Sequence, residues 1–310
     1  GYSGMGFGSG RLLDDLIQYV YSGQGCRLIL VGDNAQLPPV GEDESPALYT
    51  EMLHGYGHDV MECMLTEVVR QSDRAGILYN ATRLRMQITE DDIYELPKFK
   101  IKGFPDIRVI SGSELIETIN SCYDNAGLDE TIIICRSNKR ANLYNKGIRN
   151  TILYREDELN SGDVLMITRN NYYWTEDCKE MDFIANGDIA VVRRVRRMRE
   201  MYGFRFADVV LTFPDHNDIE LELKILLDTL HSDSPSLSKE DSDRLFNSVM
   251  EDYSDISNKK ERMKKLKEDS FFNALQVKYA YAVTCHKAQG GQWKRVFVDQ
   301  GYMTEDMLSP

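Results

Sequence analysis

The chain has 310 residues, of which 42% are apolar and 28% are charged. This length is typical of about two domains, and the composition excludes a wholly disordered chain, a coiled coil and a collagen-like fibre. The sequence has no run of about 18 uninterrupted apolar residues, so no membrane-spanning segment is predicted. The net charge of −13 excludes non-specific coating of nucleic acid. Any such contact needs a local basic surface or a groove lined by backbone groups.

Cysteine usage and the start of the chain indicate the compartment. The six cysteines are scattered without a Cys-x-x-Cys pair, which favours a reduced intracellular protein over a disulfide framework or a zinc site. The first residues lack the basic region and the apolar segment of a signal peptide. We therefore expect a cytoplasmic protein without a metal site, and, because the first residue is not Met, a fragment.

Helices and buried strands are predicted through much of the chain. Five glycines within the first ten residues precede a helix that begins at Leu12, because apolar residues recur at helical spacing as far as Val20. Short apolar runs bounded by turn residues predict buried parallel strands at 27–31, 131–135 and 295–299. In α/β proteins ligands bind at the carboxyl ends of such strands, so the loops that follow them are candidate sites.

The middle of the chain has a different pattern. Strand-like runs at 164–167 and 188–192, with Ser-Gly and Asn-Gly turn signals, predict a small antiparallel barrel over about 160–213. The following segment, about 214–271, is predicted as helix and loop and is acidic, with 15 Asp or Glu against nine Lys or Arg in 215–270. Barrel and acidic segment together are expected to interrupt an α/β domain.

Two features of this insertion have an open interpretation. Six arginines and one glutamate lie in 193–205, and they form either a phosphate-contacting face or a solvated hairpin, of which the hairpin is favoured. Tyr172, Tyr173 and Trp174 are able to stack on bases, although packing at the rim of the core is favoured for them.

The loop after the first predicted strand carries a carboxylate and an amide. Asp33 and Gln36 lie three residues apart, and Pro38 and Pro39 stiffen the chain behind them. A stiff loop with a fixed Gln at its tip can sense a phosphate. The alternative is a turn capped by Asp33 beside an ordinary Gln, and the residues alone leave the two equally open.

A guanidinium follows the next apolar segment, at Arg70. An Arg at a domain junction can reach a nucleotide held by the neighbouring domain and stabilise charge in the transition state. The alternative is a surface Arg paired with Glu67, and the residues alone favour that alternative.

The third polar stretch lies near the end of the chain. A strand-like run delivers a hydroxyl, an imidazole, an ammonium and an amide into a loop that ends in two glycines: Thr284, His286, Lys287 and Gln289, then Gly290 and Gly291. Hydroxyls and backbone donors bind phosphates, and glycine lets the backbone approach a ligand closely. The alternative is an ordinary polar loop, which the density of hydrogen-bonding groups disfavours.

These three stretches, in this order, resemble the signature motifs of superfamily 1 helicases. They are most similar to those of RecD-like DNA helicases, the exonuclease V alpha subunit type. The likeness covers about 1–155 and 272–300, and residues 183–188 resemble the SH3-like insert of that family. The matching motifs, numbered III, IV and V in the family, are Gly32-Asp33-x-x-Gln36-Leu37-Pro38-Pro39-Val40, Leu65-Thr66-Glu67-x-x-Arg70-Gln71 and Thr284-x-His286-Lys287-x-Gln289-Gly290.

The resemblance implies an α/β fold of RecA-like parallel-sheet domains, the P-loop NTPase class, with a small SH3-like β-barrel insertion. It assigns residues 1–70 to the C-terminal part of the first RecA-like domain. It assigns residues 71–159 and 272–310 to the second RecA-like domain, interrupted by the insertion at 160–271.

The resemblance also implies roles for individual residues. Gln36 and Arg70 are the expected catalytic residues, with Gln36 on the γ-phosphate and Arg70 as an arginine finger from the second domain. Asp33, Gln289 and Gly290 are expected to join them in nucleotide binding. Six residues are expected to bind DNA: Pro38, Arg136, Asn138, Thr284, His286 and Lys287. Arg136 and Asn138 are weaker candidates among them, as is Asn142, which follows the same strand.

The implied function is part of an ATP-dependent DNA helicase or translocase with 5′-to-3′ polarity on single-stranded DNA. The expected cofactors are ATP and Mg²⁺, and the expected partners are single-stranded DNA or DNA junctions and subunits for DNA repair or recombination. The 310 residues contain no Gly-x-x-x-x-Gly-Lys-Ser/Thr, so we expect this chain alone to be inactive and most ligands of ATP to lie in motifs that it lacks. The alternative is a non-catalytic DNA-binding or assembly subunit that retains the helicase fold.

Overall fold

The computed structural model describes residues 10–67, 75–90 and 95–302. The chain divides into two compact units, one of residues 1–110 with 303–310 and the other of residues 111–302.

Helices are the regular elements described in the first unit. Helix α1 spans Leu12–Tyr21, α2 spans Thr50–His54 and α3 spans Gly76–Thr89. The helix predicted to begin at Leu12 is confirmed. Its first turn carries two aspartates, which suit the positive end of the helix dipole, and Ile17 is its buried residue.

The strand predicted at 27–31 is wrong. These residues have no strand conformation in the structure, and the side chains of Ile29 and Val31 are 85% and 87% exposed. A β-strand exists only through hydrogen bonds to a neighbouring strand, and the described residues of the first unit supply no partner. An apolar run indicates strand propensity but does not indicate whether a partner strand is present.

A three-stranded parallel sheet forms one part of the second unit. Strand β1 (Thr131–Cys135) lies between β7 (Ala282–Thr284) and β8 (Arg295–Val298), and both pairings are parallel. The strands predicted at 131–135 and 295–299 are therefore confirmed as parallel strands. Strand β8 was expected to be buried, but it lies at the sheet edge, where Val298 is 68% exposed.

Three helices accompany this sheet. Helix α4 (Leu115–Ala126) precedes β1, and α5 (Asn138–Gly147) follows it and continues into a wider helical turn at Ile148–Ile152. The short helix α8 (Cys285–Ala288) begins directly after β7. Two of the three helices thus begin within three residues of the carboxyl end of a sheet strand.

A closed five-stranded barrel forms the other part of this unit. Its strands follow chain order: β2 (Val164–Ile167), β3 (Ile189–Met201), β4 (Phe204–Phe213), β5 (Ile219–Leu226) and β6 (Leu275–Tyr279). Successive strands are antiparallel except for β5 and β6, which pair in parallel across a long connection. A barrel and a parallel sheet in one α/β chain agree with the expected fold class. The barrel takes β5 and β6 from beyond the range of about 160–213 expected for it, because pairing between β2 and β6 closes it.

The long connection from β5 to β6 contains helices α6 (Lys239–Asp252) and α7 (Lys259–Lys267). Leu266 of α7 and Val249 of α6 are buried with Phe204 and Phe206, at the start of β4, in a small apolar cluster. The larger core is shared by the barrel and the parallel sheet. The two helices therefore cover the end of the β3–β4 hairpin and leave the barrel core to the strands.

A buried ionic cluster fixes the place where the chain passes from barrel to sheet. Tyr281, between β6 and β7, donates a hydrogen bond to Asp163, which is fully buried before β2. Asp163 also accepts hydrogen bonds from Arg149 at 3.0 and 3.1 Å, from Arg155 at 2.7 Å and from the backbone N of Asn160 at 2.7 Å. These five residues are called the junction cluster below.

Candidate nucleic-acid interface

The candidate site lies at the carboxyl edge of the parallel sheet. Because β7, β1 and β8 are parallel and adjacent, their carboxyl ends meet at one edge. The three loops that follow begin at Cys285, Arg136 and Asp299. In open parallel sheets this edge is where ligands bind. The structure thus brings together the predicted residues that follow two strands and adds a carboxylate after the third.

The loop after β1 starts helix α5. The Oγ atom of Ser137 accepts a 3.1 Å hydrogen bond from the backbone N of Arg140, which is an N-terminal cap, and Asn138 is the first residue of the helix. Arg136 is exposed, and its Nη1 atom donates to the carbonyl of Tyr302 at 3.4 Å. Arg136 and Asn138 therefore remain accessible to a ligand at the sheet edge.

Asn142 has a different role from the one expected. Its Nδ2 atom donates to the carbonyls of His231 and Ser232 at 3.3 and 3.1 Å and to Oδ1 of Asp233 at 3.1 Å. These bonds anchor α5 to the segment behind β5, so the side chain is not free to line a strand path. Spacing after a strand indicated only that Asn142 is near the edge and gave no information about the distant segment that it holds.

The loop after β7 carries the third motif. Thr284 is buried, and its Oγ1 atom accepts a 3.4 Å hydrogen bond from the backbone N of Lys287, so it caps α8. His286 is exposed, as are Gln289 and Gly290. Gly290 has a φ of +86°, which favours glycine. The hydroxyl is held in the structure, whereas the imidazole and the amide face solvent.

Lys287 is tied to the barrel. Its Nζ atom donates to Oδ1 of Asn186 at 2.7 Å and to the carbonyl of Thr168 at 3.4 Å. Burial lowers the pKa of this ammonium. Lys287 therefore links the motif loop to both ends of the connection between β2 and β3, and its ammonium is less available to DNA phosphates than the resemblance implies.

A polar group that the sequence prediction missed follows β8. Asp299 accepts hydrogen bonds from Nε of Arg140 at 2.8 Å and from the hydroxyl of Tyr144 at 2.5 Å. Burial alone raises the pKa of Asp299, but hydrogen bonds from Tyr144, Arg140 and the backbone N of Gly301 outweigh it and lower the pKa. A carboxylate at the last position of the predicted strand 295–299 was the available signal. The arrangement holds α5 against the end of β8.

The first unit contains the other predicted residues. Asp33 accepts hydrogen bonds from Nη1 and Nη2 of Arg85 at 2.8 and 3.0 Å and from the backbone N of Ala35 at 3.0 Å. The hydrogen bond from Arg85 contributes most to lowering the pKa of Asp33. Nucleotide contact by Asp33 stays a prediction, and it requires this paired carboxylate to exchange partners.

Gln36 is exposed in a turn that is closed by a 3.1 Å hydrogen bond from its own backbone N to the carbonyl of Asp33. Pro38 is half-buried two residues later. The roles of Gln36 and Pro38 stay predictions, as does that of Arg70, which lies outside the described residues.

The arginines of 193–205 form the β3–β4 hairpin and are mostly neutralised by neighbouring carboxylates. Arg194 and Arg197 are the two without an ion pair among the described residues. The paired arginines are Arg193 with Glu220, Arg196 with Glu222, Arg199 with Asp208 and Arg205 with Glu158. Four of six positive charges are thus compensated, which favours the hairpin interpretation over a phosphate-binding face.

The three aromatic residues near position 173 separate into two groups. Trp174 and Tyr173 pack edge to face and donate hydrogen bonds to the carbonyls of Asn273 and Glu268. Tyr172 is 64% exposed and stacks on Phe183, with ring centroids 5.0 Å apart. Tyr173 and Trp174 therefore pack at the rim of the core, whereas the ring of Tyr172 is largely exposed.

Two further properties concern the part of the chain that the structure describes. Within it no group of three or more His, Cys, Asp or Glu side chains could hold a metal ion. Within it no helix combines the length and apolar character needed to cross a membrane.

Comparison with known proteins places a family match on this site. Residues 279–309 match the family described as UvrD-like helicase C-terminal domain, and this range contains β7, the 284–290 motif and Asp299. The chain is also 23% identical over 335 residues to uncharacterized protein R530 of Acanthamoeba polyphaga mimivirus, a match that covers 94% of this chain and 66% of that protein. This chain thus spans about two thirds of the length of that relative. The family match concerns residues 279–309 and supports a relationship of this part of the chain to superfamily 1 helicases.

Proposed function

We propose that this chain is part of an ATP-dependent, RecD-like superfamily 1 DNA helicase that moves 5′-to-3′ on single-stranded DNA. The observation that carries the proposal is the position of the 284–290 motif. It lies at the carboxyl edge of a parallel sheet and within the residues that match a helicase family.

The chemistry of the loop suits contact with a phosphate backbone. Exposed His286 can donate a hydrogen bond to phosphate oxygens, and the backbone at Gly290 is open to close approach because no side chain covers it. Arg136 and Asn138, at the end of the adjacent strand, extend the same edge. These groups read no base, so the proposed contact is with the backbone and is independent of sequence.

The residues of this chain do not form a complete Mg²⁺–ATP site. The 310 residues lack the Lys-Ser/Thr of a P-loop, and the described residues lack a metal-ligating cluster. Contacts of Gln36 and Arg70 with a γ-phosphate are therefore proposals for the whole protein. No catalytic step is assigned to residues of this chain beyond them.

The test is ATP hydrolysis by the protein encoded by the full reading frame, with and without single-stranded DNA. We expect turnover that depends on the strand, displacement of a duplex with a 5′ tail, and a loss of about 10³-fold or more with Arg70→Ala. The 310-residue chain alone is expected to bind single-stranded DNA without hydrolysing ATP. ATP turnover by this chain alone, abolished by Arg70→Ala, would contradict the expectation that hydrolysis needs motifs outside the 310 residues.

The second candidate is a non-catalytic DNA-binding or assembly subunit. It is favoured by one observation, that no P-loop occurs in the 310 residues. The same experiment separates the two, because a full-length protein that binds single-stranded DNA and hydrolyses no ATP under any condition supports the subunit and overturns the motor.

A further inference from the structure

We propose that helix α7 and the stacked pair of Tyr172 and Phe183 form a second contact surface for single-stranded nucleic acid. The surface continues the path of a strand that leaves the 284–290 loop. The inference rests on the proposed function for the place where the strand starts, and it adds residues outside the three helicase motifs.

Helix α7 is a concentrated positive charge in an acidic chain. Six of its nine residues are Lys or Arg and one is Glu, whereas the whole chain has a net charge of −13. Five of the lysines are exposed, and none of the five forms an ion pair within the described structure: Lys259, Lys260, Lys264, Lys265 and Lys267. The arginines of the β3–β4 hairpin, in contrast, are mostly paired with carboxylates. Unpaired clustered lysines indicate an anionic partner.

The lysines are presented by a fixed element. Leu266 is buried against the start of β4, and Asn258 caps the helix by accepting a hydrogen bond from the backbone N of Lys260. At the other end, Nδ2 of Asn273 donates to the carbonyl of Lys267 at 2.8 Å. Four of the lysines line one open surface along the helix, together with Met263 and Glu268: Lys259, Lys260, Lys264 and Lys267. A rigid row of cations suits a linear polyanion.

The apolar residues of α7 decide against a lipid surface as the partner. Met263 and Leu266 pack into the chain's own apolar cluster. A basic helix that binds a membrane needs an apolar face free to enter the interface, and α7 has used its own in folding. The remaining anionic partners are a nucleic acid and an acidic protein.

The aromatic pair favours a nucleic acid. Tyr172 is 64% and Phe183 37% exposed, and their rings stack with an interplanar angle of 26°. An exposed aromatic ring combined with a row of cations binds single strands, because bases stack on the ring while phosphates follow the charge. An acidic protein surface would need no such stacking platform.

Hydrogen bonds connect the residues that follow Tyr172 with the segment that follows α7. Tyr173, the neighbour of Tyr172, donates from its hydroxyl to the carbonyl of Glu268 at 3.0 Å, one residue beyond the end of α7. Trp174 donates from Nε1 to the carbonyl of Asn273 at 2.8 Å. The loop that carries Tyr172 is therefore attached to the carboxyl end of the basic helix.

The same loop reaches the motif at its other side. The backbones of Asn171 and Ile184 exchange two hydrogen bonds of 2.8 Å, so the segments that carry Tyr172 and Phe183 are paired. Lys287 of the motif loop donates to Thr168 and Asn186, one on each of these segments. A continuous connection thus runs from the 284–290 loop across the aromatic pair to α7.

Acidic residues in the intervening loop shape the expected contact. Glu176, Asp177, Glu180 and Asp182 lie between the two paired segments in sequence. They repel phosphates, so the strand is expected to turn its bases toward the aromatic pair and to direct its phosphates to α7. The surface should therefore prefer a single strand, whose bases are free to stack, over a duplex.

The test is binding of fluorescent oligothymidylates by the 310-residue chain, followed by anisotropy over a range of salt concentrations. The charge variant is Lys260→Gln, Lys264→Gln and Lys267→Gln together, because Gln retains helix propensity. Its matched control removes three exposed lysines elsewhere: Lys146→Gln, Lys239→Gln and Lys294→Gln. The stacking variant is Tyr172→Ala. Far-ultraviolet circular dichroism and the unfolding midpoint check that each variant is folded.

The charge variant is expected to weaken binding of a long oligonucleotide and to reduce the salt slope by about 2, since each lost phosphate contact reduces it by about 0.7. Tyr172→Ala is expected to weaken binding about tenfold. A short oligonucleotide of about 8 nucleotides, which fills only the motif loop, should respond to neither change.

Each other result overturns a defined part of the inference. If the charge variant binds as the control does, the basic surface is not a nucleic-acid contact, while the proposed function stands and an acidic protein becomes its expected partner. If duplex binds more tightly than a single strand and Tyr172→Ala has no effect, the stacking role is wrong. If the wild-type chain binds no single-stranded DNA even at low salt, both the inference and the proposed function fail. Binding through α7 in a full-length protein without ATP turnover keeps the inference and overturns the motor.

Discussion

The hydroxyl of Tyr281 donates a 2.6 Å hydrogen bond to Oδ1 of Asp163, both in the buried interior. Tyr281 lies two residues after β6 leaves the barrel and one residue before β7 enters the parallel sheet. Thr284, the first residue of the candidate motif, follows three residues later. The position of the motif relative to the barrel is therefore fixed by a tyrosine that the motif does not include.

The first prediction concerns the strength of the junction cluster. Asp163→Asn is expected to lower the free energy of unfolding by about 3–5 kcal/mol, because Arg149 and Arg155 lose the charge that compensates them in the interior. Tyr281→Phe removes a hydroxyl that donates to Asp163 and accepts from Arg155 and from the backbone N of Val164, and is expected to cost about 2–3 kcal/mol. Urea unfolding followed by tryptophan fluorescence measures both, since the chain's two tryptophans, Trp174 and Trp293, lie in this unit. An unchanged midpoint for Asp163→Asn would show that the cluster contributes nothing to stability.

The second prediction is the pH dependence of the same cluster. Burial alone raises the pKa of Asp163, but hydrogen bonds from Arg149, Tyr281 and the backbone N of Asn160 outweigh it and hold the pKa below its ordinary value of 3.8. The unfolded chain therefore binds a proton at a higher pH than the folded chain. The stabilisation that the ionised Asp163 provides is fully present at pH values above 3.8. It is lost as the pH falls from there through the lower pKa of the folded state.

Unfolding measured between neutral pH and acid checks this dependence. Other carboxylates with lowered pKa, including Asp208 and Asp299, contribute a similar loss, so the informative quantity is the difference between wild type and Asp163→Asn. That difference should be constant near neutral pH and shrink below about pH 4. A difference that grows in acid would mean that the folded pKa is raised.

The apolar patterns of the sequence located many helices and strands. They did not show which apolar runs have a neighbouring strand to pair with. The runs at 131–135 and 164–167 became strands β1 and β2, because each run is buried on both faces and has a neighbouring strand. The equally apolar run at 27–31 did not, because the described part of its unit supplies no neighbour. The run before Thr284 reads as one strand but forms β6 and β7 in two different sheets, and its composition shows no break there.

At the candidate site, too, the sequence patterns did not show contacts between residues that are distant in sequence. The motifs led to Thr284, His286 and Lys287, but Lys287 donates a hydrogen bond to Oδ1 of Asn186, about a hundred residues away in sequence. Helix α7 was missed for another reason. Summing charge over 215–270 gave an acidic total, which concealed the separation of that charge into an acidic stretch and a basic helix.

The third prediction separates two roles of the Thr284 hydroxyl, which are capping of α8 and the proposed contact with DNA. Thr284→Ser retains the acceptor that caps α8 and is expected to bind single-stranded DNA as the wild type does. Thr284→Val keeps the volume but removes the hydroxyl, and is expected to weaken binding several-fold with a stability loss of about 1 kcal/mol or less. Anisotropy titration with oligothymidylate and urea unfolding measure the two effects. Equal affinities of the Ser and Val variants for the oligonucleotide would show that the hydroxyl does not contribute to DNA binding.

The fourth prediction uses the exposure of His286. The side chain has no hydrogen-bond partner within the described structure, so His286→Ala should leave the unfolding free energy within about 0.5 kcal/mol of wild type. Strand-stimulated ATP turnover by the full-length protein and oligonucleotide binding should both fall. Lys294→Ala, which truncates another exposed polar side chain outside the motif, serves as the control. Unaltered binding by the His286 variant would exclude the imidazole from the interface.

The last prediction is an energetic coupling between the motif loop and the barrel. Lys287 and Asn186 are joined by a 2.7 Å hydrogen bond, and burial lowers the pKa of the ammonium, so this amide compensates part of the cost of holding a buried charge. A double-mutant cycle with Lys287→Met and Asn186→Ala should give a coupling of about 1 kcal/mol in unfolding free energy. The barrel then acts on the strand-binding loop in part through this hydrogen bond, and Asn186→Ala should weaken oligonucleotide binding although Asn186 touches no phosphate. Additive effects in unfolding, or an Asn186 variant that binds as the wild type does, would show that the loop is positioned without the barrel.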